Sequence, residues 1–247
     1  MRALFLGFAL IAYAIFFATF LYLIGFVGNL ADLPMTVDKG PAGPVASAVV
    51  IDIVLISLFG IQHSVMARQG FKKAWTRTVP LPVERSVYVL LASVALIILF
   101  SFWRPIEGVV WDVANPLGQS ILWALFLGGW GIVLLSTFLI NHFELFGLQQ
   151  AWLHMRGREA APHVFRQPLL YKWVRHPLYL GFFLAFWSTP HMSYGHLLLS
   201  VGMSIYMLIA IRYEERDLVG YFGREYEEYR GRVGMLIPGI GRRAPPA

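Results

Sequence analysis

The sequence predicts an all-α polytopic membrane protein: four full spans, then a C-terminal transmembrane helical hairpin and a cytoplasmic amphipathic tail. Three observations predict it. Hydrophobic residues make up 57% of the 247 and charged residues only 14%, where a soluble domain carries about 25% charged residues. Mean hydropathy is +0.62. The apolar residues form long unbroken runs, not the alternating segments of about ten residues that build a barrel.

Each span follows from a run and its breakers. Leu4 to Val27 is the first run, roughly 24 residues long and too long for the apolar part of a signal peptide, about 7–15 residues. It reads as a membrane span. Gly28 to Pro44 holds glycines, prolines and two aspartates, so it reads as a loop. Val45 to Met66 is the second span, Val87 to Trp103 the third and Ser120 to Phe143 the fourth. Pro177 to Ile211 contains no Asp, Glu, Lys or Arg. As one helix it would stretch about 52 Å, well beyond a hydrocarbon core of about 30 Å. The break lies in "STPHMSYGH", Ser188 to His196, where proline and glycine interrupt the run. The expectation is a helix from Pro177 to Thr189 and a second from Gly195 to Tyr213.

Net charge is +6, which in a membrane protein reports topology before partners. The 66–86 connection carries Arg68, Lys72, Lys73, Arg77 and Arg85 against Glu84. The 143–176 connection carries Arg156, Arg158, Arg166, Lys172 and Arg175 against Glu144 and Glu159. The 28–45 and 104–118 connections are neutral to acidic. The positive-inside rule therefore puts the N-terminus, both basic connections and the tail in the cytoplasm. The tail, Arg212 to Arg232, is dense in charge and tyrosine, as a helix lying on the membrane surface would be.

Several chemistries are excluded. With no cysteine there is no disulfide, thiolate metal site or cysteine nucleophile. No metal-binding HExxH occurs, no GxSxG, no phosphate loop and no GxGxxG after a strand. No basic solvated module offers a nucleic-acid site. Gly129-Trp130-Gly131, inside the fourth span, reads as close helix packing.

What remains is the pair "RHPLYLG", Arg175 to Gly181, and "RYEER", Arg212 to Arg216, which flank the hairpin. One brings cations and an imidazole, the other two carboxylates. Together they suit a zwitterion bearing a carboxylate and an ammonium. Pro177 fits a first helical position, where a missing N–H costs nothing, and the free N–H groups of that first turn favour anions. Gly181 permits close approach of a ligand or another backbone.

At these residues the chain resembles the integral-membrane S-adenosylmethionine-dependent methyltransferases: isoprenylcysteine carboxyl methyltransferases, phospholipid methyltransferases and their bacterial, NnrU-like relatives. The pattern Arg-His-Pro-x-Tyr-x-Gly is met by Arg175 to Gly181. The paired glutamates are met by Glu214 and Glu215, with Arg212 two before the first, and Gly-x-x-Tyr-x-x-Tyr by Gly223, Tyr226 and Tyr229. The resemblance implies one methyltransferase domain over 1–247. Residues 1–143 would shape the substrate pocket, and 172–232 would form the cofactor-binding hairpin and tail. It implies S-adenosylmethionine as cofactor, contacted by Arg175, His176, Tyr179, Gly181, Glu214 and Glu215, with no metal.

Two polar clusters interrupt the apolar spans: Gln62-His63-Ser64, and Asn141-His142 with Glu144, which Gln149 or Gln150 can join. Ionisable residues at membrane depth are expensive and tend to be functional. Asp52 lies about three turns from His63 and reads as separate. The segments "IQHSVMAR" and "INHFELFGLQQ" look like those of the bacterial methanethiol S-methyltransferase branch. That resemblance implies methyl transfer to a small thiol in the bacterial inner membrane, giving dimethyl sulfide. A thiol must lose its proton to become a good nucleophile, and histidine suits that task, so His63 or His142 is the expected base. Methylation of a lipid-linked amine or carboxylate, and a non-catalytic NnrU-like role, are the alternatives.

Overall fold

A computed structural model describes residues 2–160 and 164–242. Five helices are long and apolar enough to cross a membrane: α1 (Arg2–Val27), α2 (Val45–Met66), α4 (Leu81–Phe102), α5 (Pro116–Ile140) and α9 (Tyr194–Phe222). Between them lie the short helices α3 (Gln69–Trp75), α6 (His142–Leu145), α7 (Leu148–Met155) and α8 (Pro177–Trp187), and α10 (Arg224–Arg232) follows α9. The expected spans are present, because in a bilayer each apolar run must satisfy its own backbone bonds as a helix.

Several boundaries differ from the sequence reading; helix α5, for one, begins at Pro116 rather than Ser120. Helix α4 begins at Leu81, six residues before the expected Val87. Pro80 and Pro82 open it, so Glu84 and Arg85 fall in its first turns. Helix α5 ends at Ile140 rather than Phe143. Asn141 leaves the helical conformation, accepts a hydrogen bond from the Glu144 N–H at 3.4 Å on Oδ1, and starts α6. Its amide also donates to Glu144 Oε2 at 2.8 Å. Asn141 and Glu144 stand three apart, the spacing of a capping box, so the stop was written in the sequence and overlooked. Helix α9 runs nine residues past the expected Tyr213, to Phe222. Its Arg and Glu residues are good helix formers, and only Gly223, at φ 54°, ends it.

The chain falls into two compact units, one from residues 1–114, 141–161 and 190–203, the other from 115–140, 162–189 and 204–247. In the first, α4 packs against α1, α2 and α7. One end of this unit is closed by its connections. Strand β1 (Val109–Asp112) pairs antiparallel with β2 (His191–Ser193), an element the sequence reading did not contain. Asp38 accepts from the Asn29 amide at 3.1 Å and from the Ser193 hydroxyl. Trp103 Nε1 donates to Val37 O at 3.0 Å. Asp52, fully buried, accepts from the Arg104 N–H at 3.0 Å, so it belongs to this end and not to the His63 cluster. The 28–45 and 104–118 connections and the turn at 191–193 thus meet at one end of the unit.

In the second unit α5 lies along α8 with almost no gap. A Cβ on Gly129 would stand 2.7 Å from Ala185 N and from Gly181 O. Gly131 has open space at the same position, so only one glycine of the Gly-Trp-Gly triplet serves packing. Helix α10 buries Tyr226 and Tyr229 in a cluster with Val233, Phe165, Leu218, Val219 and Phe222. Its outer side carries charge, as in the exposed Arg224–Glu228 pair at 2.9 Å.

Candidate active site

In the second unit, helix α8 starts at Pro177, and the residues just before it carry charge. Arg175, His176 and Glu215 are 3%, 4% and 2% exposed. Arg175 meets Glu215 Oε1 with Nε at 2.8 Å and with an Nη2 at 2.7 Å. His176 Nε2 is 3.2 Å from the same oxygen. His176 Nδ1 is 4.0 Å from Glu214 Oε2, whose side chain is 44% exposed. Tyr179, one turn along, sets its ring edge-on to His176 at 5.7 Å between centroids.

The guanidinium of Arg175 is wholly engaged by protein. Its Nη1 donates to Arg230 O at 3.2 Å and to Val233 O, and its Nη2 donates to Gly241 O at 3.0 Å. With the Nε bond to Glu215 this makes four hydrogen bonds, and Nη2 also pairs with Glu215 Oε1, so all three guanidinium nitrogens have protein partners. The backbone joins in: Arg175 N–H reaches Gly234 O at 2.8 Å and His176 N–H reaches Met235 O at 3.1 Å. Arg175 therefore straps segment 230–241 across the start of α8. The sequence reading ended the cofactor-binding tail at 232 and gave 233–241 no role. Gly234, whose added Cβ would meet Ile237 O at 2.1 Å, was the available signal of a tight loop there.

Around the carboxylates stand phenols. Tyr229 OH donates to Tyr171 O at 2.6 Å. Burial, then the charges of Glu215 and Glu214, pushes the Tyr226 phenol up; burial, then Glu214, does the same at Tyr171. All stay protonated, so the charges of the cluster come from Arg175, the glutamates and His176 when protonated. Gly181 lies one turn beyond the cluster and faces the Gly129 backbone, 2.6 Å from its added Cβ. The close approach it permits is to helix α5.

The first unit holds the two histidines, each hydrogen-bonded to a tyrosine of another helix. His63 Nε2 is 2.8 Å from Tyr88 OH, and the ring stacks on Phe59 at 5.3 Å. His142 Nε2 is 2.8 Å from Tyr13 OH, and its ring is edge-on to Phe146 at 4.9 Å. His142 is buried, and burial pushes its pKa down, so the imidazole is neutral near pH 7 and able to take a proton. The two pairs flank one aromatic cluster. Phe16 and Phe146 stack at 4.1 Å and pack against Met66, Tyr88 and Val89. Arg85 ties the sides together, lying 4.9 Å over the Tyr88 ring and donating from Nε to Leu145 O at 2.7 Å. Asn141 also donates to Gln149 Oε1 at 2.6 Å, and Gln150 donates to Glu144 O at 3.0 Å, so both glutamines join this turn. Tyr13 and Tyr88 escaped the sequence reading because a tyrosine in an apolar span is unremarkable until its partner is known.

No family model matches the chain, and no solved structure matches it. Curated relatives do. The chain is 54% identical over 227 residues to methanethiol S-methyltransferase of Mycobacterium tuberculosis, covering 92% of this chain and 93% of that one. It is 52% identical over 227 residues to methanethiol S-methyltransferase 1 of Bradyrhizobium diazoefficiens, covering 92% and 79%. With methanethiol S-methyltransferase of Crocosphaera subtropica it shares 47% over 243 residues, 98% and 95% of the two chains. A likeness of this depth along nearly the whole chain leaves one assignment: the protein belongs to the methanethiol S-methyltransferase family.

Proposed function

We propose that this protein transfers a methyl group from S-adenosylmethionine to methanethiol, giving dimethyl sulfide, at a site opening to the cytoplasmic face of the bacterial inner membrane. The observation that carries the reading is the buried Arg175–His176–Glu215 cluster at the start of an apolar helix, with Glu214 beside it still reachable from solvent. The basic 66–86 and 143–176 connections support the orientation. One domain spans 1–247, with 1–143 shaping the substrate pocket and 172–232 holding the cofactor.

The residues present fit a zwitterionic methyl donor. The first-turn N–H groups of α8 suit a carboxylate, and the half-exposed Glu214 suits an ammonium. His176 and Tyr179 line the same lip. Arg175 and Glu215 act through the scaffold, holding the tail and the imidazole in place. When bound, S-adenosylmethionine supplies an electrophilic methyl on a sulfonium. The protein's task is then to align a thiol in line with that methyl and keep water out. A base must also take the thiol proton, and His63 or His142 does so; each imidazole is oriented by a tyrosine hydroxyl.

The test is headspace chromatography of purified protein supplied with methyl-labelled S-adenosylmethionine and methanethiol. Labelled dimethyl sulfide is the expected product. No volatile product from active, cofactor-binding protein, or label recovered in lipid instead, would sink the assignment.

A further inference from the structure

Helices α5 and α8 are antiparallel neighbours whose register is set by two glycines. A Cβ on Gly129 would meet Ala185 N and Gly181 O; one on Gly181 would meet Gly129 O at 2.6 Å and Val133 N at 2.8 Å. Each turn forward along α5 is therefore matched by a turn back along α8. Ser136 lies about two turns beyond Gly129 and within about 20° of the same face. It thus faces α8 at the height of His176 and Pro177, where α8 begins.

Ser136 is fully buried, and its Oγ has no hydrogen-bond partner among the described residues. A helical serine or threonine ordinarily satisfies itself on a carbonyl of the preceding turn. Thr137, next in the chain, does so, donating to Leu134 O at 2.7 Å. A buried hydroxyl left without a partner is unfavourable, and helical periodicity puts this one level with the N–H groups that open α8. The guanidinium of Arg175 is directed elsewhere, to Glu215 and to the carbonyls of Arg230, Val233 and Gly241.

We propose that Ser136 is a cofactor-binding residue whose hydroxyl donates a hydrogen bond to the carboxylate of the methyl donor seated at the N-terminus of α8. The inference rests on the S-adenosylmethionine reading above. A serine that merely fills the core gives the opposite sign on substitution. There, Ser136→Ala removes an unsatisfied group and touches no ligand.

The experiment is calorimetry on the purified full-length protein in detergent, with two probes. S-adenosylhomocysteine carries the amino-acid carboxylate, and methylthioadenosine lacks it. Ser136→Ala is expected to weaken S-adenosylhomocysteine binding about tenfold, to leave methylthioadenosine binding unchanged, and to melt no lower than wild type without ligand. Equal S-adenosylhomocysteine affinity in the two proteins, an equal loss for both probes, or a lower ligand-free melting temperature would each overturn the inference. If wild-type protein binds neither probe, the cofactor reading itself falls and takes the inference with it. If wild type binds both and the variant matches it, only the role of Ser136 falls.

Discussion

Arg175 and Glu214 are both charged and both belong to the cofactor motifs, yet the structure gives them opposite situations. Arg175 is buried with all three guanidinium nitrogens engaged by the protein, while Glu214 is half exposed. Arg175→Ala takes the guanidinium from the buried Glu215, leaving His176 on the same oxygen, and frees the strap at 230–241. Removing one partner of a buried pair costs about 3–5 kcal/mol, so this variant is expected to lose the tail to limited proteolysis even without ligand. Glu214→Ala should keep the fold and weaken S-adenosylmethionine binding about five- to tenfold, as a partly exposed charge-assisted contact would; calorimetry beside a melting curve separates the two. The histidines are a second residue-scale question. Alanine at the one that serves as base is expected to lower kcat about 10²- to 10⁴-fold while cofactor affinity is kept. That defect should shrink as pH rises, because more thiolate then arrives already formed. Wild-type rates at neutral pH in both His63→Ala and His142→Ala would dismiss the pair.

Two of the helix contacts in this protein depend closely on glycines. Gly181 and Gly129 let α8 and α5 touch backbone to backbone. Gly181→Ala is expected to cost about 1–3 kcal/mol by overpacking, whereas Gly128→Ala and Gly131→Ala, with open space beside them, should leave thermal unfolding unchanged. Gly147 starts α7 at φ 87°, and a Cβ there would lie 2.7 Å from Ser86 N. Its replacement by alanine combines left-handed strain with a backbone clash. It should loosen the turn that carries His142, and hydrogen exchange over 141–155 would record this. Equal protection in wild type and variant would show that the turn does not depend on Gly147.

Across the whole molecule, the absence of cysteine makes topology directly measurable. Glu107→Cys, on the connection leading to β1, and Arg224→Cys, at the start of α10, are both exposed sites. In intact cells an impermeant maleimide is expected to label position 107 from outside and position 224 only after permeabilisation. The reverse pattern would invert the orientation. Labelling of both from one side would contradict an odd number of crossings between them.

Much of this architecture was legible in the chain. The apolar runs determined the spans, because a segment in lipid has no choice but to close its own hydrogen bonds. Prolines and glycines determined most of their ends, and even the missed stop at Asn141 had its capping glutamate three residues on. The spacing of the motifs around the hairpin already puts Arg175, His176 and Glu215 in one place. What only the tertiary structure decided was which way each side chain faces. These helices are apolar on nearly every side, so periodicity does not distinguish a buried face from a lipid-facing one. The tyrosines that hold His63 and His142, the carbonyls that consume Arg175, the backbone opposite Gly181 and the position of Ser136 all depend on rotation and register between helices distant in sequence. No local pattern encodes those, because they are fixed by how whole helices fit against one another.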